Sequence, residues 1–307
     1  MSLLSVVIPS YNEEGNIKRT SEVISGILEN ASINYELIFV SDGSKDGTYA
    51  AICEQAKANP KVKGIEFSRN FGKEAAIFAG LGQAKGDVVA VLDCDLQHPA
   101  EKLVDMYKLW EEGYEVIEGV KSKRGKEGLI HKMFVGIFYG IMSSLMKIDM
   151  NSTSDYKMLD RKVVDVLLGL KEKNTFFRAL TFWAGFKSIR LEYEVQDRKI
   201  GKSKWSFAGL CRYAISNTTS FTTVPLKLVS TLGWTSILCS IIVGVDTLYN
   251  FFSGKAADGF TTVILLLLLI GGCIMISLGI IGHYIGRIYE EVKGRPTYII
   301  SNRTDNM

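Results

Sequence analysis

Apolar residues in the first third of the chain fall in short, nearly continuous runs separated by longer mixed stretches. Ser5–Pro9, Glu36–Val40, Val62–Phe67 and Val88–Asp93 are rich in Val, Ile and Phe, and runs of that length and content predict strands buried on both faces. Between them, Glu14–Asn30, Gly47–Asn59 and Lys73–Lys85 carry apolar positions at helical spacing. Strand and helix alternating in this rhythm predict an α/β fold with a mostly parallel sheet and helices on its faces. In such sheets ligands bind beyond the carboxyl ends of the strands, so the polar turns after each run are the places to look for chemistry.

The pattern changes after residue 120. Lys121–Ser220 is mixed; within it Leu129–Leu145 and Ser206–Thr223 combine aromatic and apolar residues with flanking basic ones, the make-up of helices that lie at a membrane surface or pack as ordinary amphipathic helices. Leu226–Phe252 and Thr261–Ile285 are then long enough to cross a bilayer, which takes ~20 apolar residues. Only Ser253–Gly259 separates them. Lys204, Arg212 and Lys227 flank the pair on one side, and Arg287, Lys293, Arg295 and Arg303 on the other. Basic flanks on the outer ends place both ends in the cytoplasm. Asp246, toward the end of the first span, is expected near the interface or paired within the helices. The expected organisation is a catalytic domain over 1–224, a transmembrane hairpin over 225–289 and a cytoplasmic tail over 290–307.

Composition narrows the function classes. A net charge of +3 over 307 residues does not point to nucleic acid. The five cysteines show no CxxC or zinc spacing, and His98, His131 and His283 form no metal-spaced group, so reduced thiols and no disulfide framework are expected. The apolar run Leu3–Ile8 is too short for a secretory signal.

The chemistry concentrates in a few turns. Val88–Glu101 is an apolar run ending in Asp93-Cys94-Asp95-Leu96-Gln97. Alternation along a strand puts both carboxylates on one side, where they repel unless a cation joins them. Mg²⁺ or Mn²⁺, bridging to a diphosphate, suits such oxygen ligands, and Gln97 offers an amide oxygen. Pro9-Ser10-Tyr11-Asn12-Glu13-Glu14, Ser41-Asp42-Gly43-Ser44 and Arg69-Asn70-Phe71-Gly72-Lys73 each form a polar turn after a strand. Acidic, aromatic and backbone groups at such turns hold nucleotides.

Taken in order, these motifs resemble those of inverting glycosyltransferases of family 2 with the GT-A fold. Within that family the chain looks like the polyprenyl-phosphate sugar transferases, which include dolichol-phosphate mannose synthases and bacterial bactoprenol glucosyltransferases. The resemblance extends over nearly the whole chain, paired C-terminal helices included. It implies that Pro9, Tyr11, Glu13 and Asp42 bind the nucleotide and that Asp93, Asp95 and Gln97 hold the metal. Asp155 then corresponds to an acidic residue near the reacting centre, and Arg198 and Lys204 to a basic loop near the donor and acceptor phosphates. Lys121, Arg124 and Lys132 are further candidates for the lipid phosphate. Two departures stand out. Ser41 precedes Asp42 where the family often has a second Asp, and Gly140 follows Phe138-Tyr139 where Arg is frequent.

The implied activity is metal-dependent transfer of a hexose from a nucleotide sugar to a polyprenyl phosphate at the cytoplasmic membrane face, as in cell-envelope synthesis. UDP-glucose is the expected donor; GDP-mannose, UDP-galactose, a UDP-N-acetylhexosamine or a UDP-formamido-arabinose are the alternatives. A homo-oligomer is left open. Rival readings fit less well. A processive polysaccharide synthase would carry a Gln-x-x-Arg-Trp motif and more spans. A dinucleotide-dependent enzyme would carry G-x-G-x-x-G in its first turn. A non-catalytic scaffold of the same fold has no need of Asp42, Asp93, Asp95 and Gln97 together.

Overall fold

The computed structural model describes residues 2–121, 154–170, 172, 176–193, 224–254 and 260–306. The expected surface stretches Leu129–Leu145 and Ser206–Thr223, and the candidates Arg124, Lys132, Arg198 and Lys204, lie outside the described residues.

Eight strands form one sheet in the order β7-β5-β6-β4-β1-β2-β3-β8. They are β1 (Leu3–Ser10), β2 (Asn34–Ser41), β3 (Val62–Phe67), β4 (Val88–Val91), β5 (Val116–Lys121), β6 (Lys157–Asp160), β7 (Ser188–Tyr193) and β8 (Ile300–Arg303). The centre is parallel: β1 pairs with β2 and β4, and β2 with β3. On one side β6 runs antiparallel between β4 and β5. On the other, β8 runs antiparallel to β3. The mostly parallel α/β sheet expected from the alternating runs is present.

The helices of this unit are α1 (Glu14–Asn30), α2 (Thr48–Ala58), α3 (Lys73–Gln83), α4 (Lys102–Glu111), α5 (Arg161–Gly169) and α6 (Phe177–Trp183). Alternate residues of the central strands feed opposite faces. Leu4, Val6 and Ile8 of β1 join Ile17, Ile24 and Leu28 of α1 and Leu103 and Met106 of α4 in one core. Val7 points the other way, under α3. A Cβ on Gly80 would come within 2.2 Å of Val7 Cγ1, so α3 lies on the strand only because that position carries no side chain. Each aliphatic side chain taken fully out of water here contributes ~1.5–3 kcal/mol.

The chain divides into two compact units, Met1–Trp205 with Pro296–Met307, and Ser206–Arg295. Within the second, α7 (Val224–Phe252) and α8 (Phe260–Val292) leave Trp234, Leu238, Leu268 and Met275 exposed. Val229–Asn250 and Leu266–Val292 are long and apolar enough to cross a membrane. The Asn250 side-chain amide donates to the Asp246 carboxylate at 3.1 Å, one turn away. Beyond α8 the chain is more than a tail: Ile300–Arg303 returns to the first unit as an edge strand. Its Ser-Asn-Arg content hides it from any search for apolar runs, because an edge strand needs only one partner.

Candidate active site

The carboxyl ends of β1, β2, β3 and β4 carry the candidate residues to one edge of the sheet. Ser10 ends β1 and accepts the Asp42 amide through its carbonyl at 2.9 Å, which ties the first two turns together. Pro9 is buried within β1, whereas Tyr11 stands exposed just past the strand. Asn12 Oδ1 accepts from Lys45 N at 2.9 Å, and Thr48 Oγ1 accepts from Glu13 N at 2.9 Å, so the first turn is laced to the second.

Asp42 sits in a cradle of backbone amides. Its Oδ1 accepts from Phe71 N at 2.7 Å and its Oδ2 from Gly72 N at 2.9 Å. Burial nevertheless raises its pKa above the usual value, because the two neutral donors do not offset the lost hydration. The approach of the two turns is close. Gly43 has φ of +59° and a Cβ there would lie 2.2 Å from the Arg69 carbonyl carbon, so glycine is required.

Asp93 and Asp95 follow β4, which ends at Val91 rather than running on to Asp93. The simple alternation expected for the two acids is therefore replaced by loop geometry, with Leu96 at φ 53°. Lys73 Nζ lies 2.6 Å from Asp93 Oδ1 and 2.8 Å from Asp155 Oδ2, bridging the two acids. Arg178 binds Asp155 with two contacts, Nε to Oδ1 at 2.6 Å and an Nη to Oδ2 at 2.9 Å. Burial alone would raise both carboxyls. The Lys73 ammonium, helped by His98, instead holds Asp93 down at about 2. Arg178 and Lys73 hold Asp155 far below the carboxylate range. A carboxylate clamped in this way is a weak proton acceptor.

Asp95 is exposed and accepts the Gln97 backbone amide on Oδ1 at 3.1 Å. Glu13 is close enough for its pKa to be raised, first by burial and then by the charges of Asp95 and Asp93. Below this loop His98 is buried between Tyr156 and Tyr193. Its Nδ1 shares a hydrogen bond with the Tyr193 hydroxyl, and its Nε2 lies 3.7 Å from Asp93 Oδ2.

Among the described residues no three His, Cys, Asp or Glu side chains gather closely enough to hold a metal by themselves. Asp95 and Asp93 are hard oxygen donors at an open edge. Two carboxylates at such an edge fit the preference of a hard divalent cation for oxygen ligands.

The structure thus brings Glu13, Asp42, Asp93, Asp95 and Asp155 to one strand edge, beside Pro9, Tyr11 and Gln97. Lys121 closes β5, and its side chain is outside the description. Three members of the cluster were not singled out from sequence. Lys73 lies in a turn that was noted, but a lysine after Gly72 signals nothing about two distant carboxylates. Arg178 stands in no motif. His98 directly follows Gln97, and only the burial of its ring between two tyrosines distinguishes it.

The sequence profile of glycosyl transferase family 2 matches residues 5–168. The uncharacterized glycosyltransferase YkcC of Bacillus subtilis (strain 168) is 40% identical over 304 residues, covering 96% of this chain and 92% of that protein. The SfII prophage-derived bactoprenol glucosyl transferase of Shigella flexneri is 34% identical over 303 residues, covering 97% of each. Among solved structures, glucosyl-3-phosphoglycerate synthase from Mycobacterium tuberculosis, in complex with Mn²⁺, UDP and glucosyl-3-phosphoglycerate, aligns with a TM-score of 0.48 at 20% identity. That alignment covers 72% of this chain and 80% of that one.

Proposed function

The chain belongs to glycosyltransferase family 2, and from that premise we propose that it transfers glucose from UDP-glucose to a polyprenyl phosphate, with inversion at the anomeric carbon. The observation that carries this reading is the similarity to a bactoprenol glucosyl transferase over 97% of both chains, which takes in the two long helices as well as the acidic edge.

In the proposed reaction a phosphate oxygen of the lipid attacks the anomeric carbon while the bond from that carbon to UDP breaks. Tyr11, Glu13 and Asp42 hold the nucleoside, with Pro9 shaping the turn. Asp93 and Asp95, with Gln97 beside them, would hold a Mg²⁺ or Mn²⁺ ion, which would offset the charge that gathers on the departing diphosphate. Lys73 ties this acidic loop to Asp155. Asp155 acts here as an orienting group rather than a base, a role supported by its clamp of two cations. The acceptor needs little deprotonation, since the second pKa of a phosphate monoester lies near ~6. Lys121, Arg124, Lys132, Arg198 and Lys204 are the proposed contacts for the donor and acceptor phosphates.

The two long helices hold the enzyme at the cytoplasmic membrane, where its acceptor resides. The return of β8 to the catalytic sheet supports a hairpin with both ends on the same side, and the basic flanks favour the cytoplasm. Confinement to the bilayer raises the acceptor's effective concentration at the site.

The test supplies the purified full chain with undecaprenyl phosphate and a panel of nucleotide sugars, each tried with Mg²⁺ and with Mn²⁺, and reads the lipid by mass spectrometry. A lipid carrying one hexose from UDP-glucose is expected. Preference for GDP-mannose, UDP-galactose, a UDP-N-acetylhexosamine or a UDP-formamido-arabinose would replace the donor but keep the reaction. A polymer, or no lipid product with any donor, would reject it.

A further inference from the structure

The segment that follows α8 reaches the donor side of the site. Pro296–Met307 belongs to the same compact unit as the sheet. Its strand β8 is fastened along β3: Ser68 N donates to Ile299 O at 3.0 Å, Ser301 Oγ to Glu66 O at 3.1 Å, and Gly64 N to Thr304 Oγ1 at 3.0 Å. Just ahead of β8, the Tyr298 ring stacks on Phe67 with centroids 5.1 Å apart and planes 12° from parallel. Phe67 meets Phe71 edge-on at 5.7 Å. The Tyr298 hydroxyl also reaches α3, lying 3.8 Å from where a Cβ on Gly82 would stand.

Tyr298 therefore stacks on the last residue of β3 before the turn 68–72, and through Phe67 it is one ring away from Phe71 within that turn. That turn presents the Phe71 and Gly72 amides to Asp42 and leads straight into Lys73. A turn that holds a buried carboxylate by two amides depends on the direction of its flanking segments, because a hydrogen bond weakens steeply once bent.

We propose that Tyr298 is a positioning residue for the donor site: stacked on Phe67, whose ring meets Phe71 edge-on, it sets the turn whose amides hold Asp42. The order of the nucleotide-binding edge then depends on a segment that the chain reaches only after its second long helix. The consequence for UDP rests on the proposed role of Asp42, whereas the consequence for the turn does not.

The experiment uses the full chain in lipid nanodiscs and compares wild type with Tyr298→Ala, Tyr298→Phe and Thr304→Ala. Thr304→Ala removes a β8 fastening at the far end of β3 and serves as the control for general loosening. Hydrogen exchange is read on the peptide spanning 69–73, and UDP binding by calorimetry. In Tyr298→Ala the Phe71 and Gly72 amides are expected to exchange at least ~10-fold faster, since local opening sets their protection. UDP affinity should fall about 10-fold, equivalent to ~1.4 kcal/mol. Tyr298→Phe should restore both, and Thr304→Ala should lower thermal stability with little change in either. Unchanged exchange in Tyr298→Ala, or an equal acceleration in Thr304→Ala, overturns the proposal. Faster exchange with wild-type UDP affinity in both Tyr298→Ala and Asp42→Ala would keep the positioning role and remove the nucleotide role of Asp42 instead.

Discussion

Asp42 and Asp155 are both buried carboxylates on the same edge of the sheet, 3% and 7% exposed, yet they are held in opposite ways. Asp42 rests on two backbone amides and its pKa rises; Asp155 is gripped by Arg178 and Lys73 and its pKa falls. The difference is one of solvation. Neutral dipoles replace only part of the lost hydration, whereas two cations at 2.6–2.9 Å more than replace it. A carboxylate kept in a neutral cradle has its charge available to a ligand. One already paired with two cations is committed to the architecture around it.

The comparison is broken most forcefully by removing a cation. Arg178→Met leaves Asp155 buried with Lys73 as its remaining cation, and removing one partner of a buried ionic contact typically costs ~3 kcal/mol or more. A large fall in thermal stability is expected, recovered in good part by adding Asp155→Asn. Equal losses with and without the second change would mean the clamp contributes nothing. Next in size is Asp93→Asn, where transfer should fall on the order of 10²-fold, equivalent to ~2.7 kcal/mol of transition-state stabilisation. Stability should change far less, and near-wild-type turnover would exclude Asp93 from the reaction.

Asp42→Asn sharpens the other half. The amide offers one oxygen where the carboxylate offered two, so either Phe71 N or Gly72 N loses its acceptor. A cost of about 1–2 kcal/mol follows, together with weaker UDP binding. Full retention of both would show that the cradle tolerates a neutral group.

The smallest effect is a pH dependence. Glu74, beside the clamp, is pushed up to about 7, first by burial and then by the Asp155 charge. Its folded pKa lies above its ordinary 4.5, so its contribution to stability is full below that value and is lost as pH rises through about 7. Asp155 behaves oppositely: its contribution is present above the ordinary carboxyl range and lost only in strong acid. Between those limits Glu74 shares the slope with Asp42 and Glu13, whose pKa values are raised as well. Glu74→Gln keeps an oxygen to accept the Phe177 amide, bonded at 2.9 Å in the wild type. It should raise stability at pH 8 by about 1 kcal/mol, or ~2–4 °C in Tm, and flatten melting temperature against pH. An unchanged slope would remove Glu74 from this account.

The same contrast explains what could be read from the sequence. The β1, β2 and β3 runs were legible because burial on both faces favours apolar stretches, helix α1 because its buried positions recur at helical spacing, and the two long helices because of their length and apolar content. Asp42 was legible as the acid after a strand. The resemblance singled out Asp155, but its clamp was not legible: Lys73 and Arg178 reach it across 82 and 23 residues of chain, and nothing local marks a salt bridge of that span. Strand β4 stops two residues short of the expected end because the chain turns out of the ladder before the Asp93 carboxylate meets Lys73. Strand β8 escaped notice for a related reason. Its pairing with β3 joins positions over 230 residues apart, and an exposed edge leaves no hydrophobic trace.

The most direct test of the central claim is the release of UDP from UDP-glucose by the purified full chain in nanodiscs, measured with and without undecaprenyl phosphate. The account predicts release only when the lipid is present, matched one for one by glucosylated lipid and abolished in Asp93→Asn. Release at the same rate without the lipid, or none with it, would contradict the account.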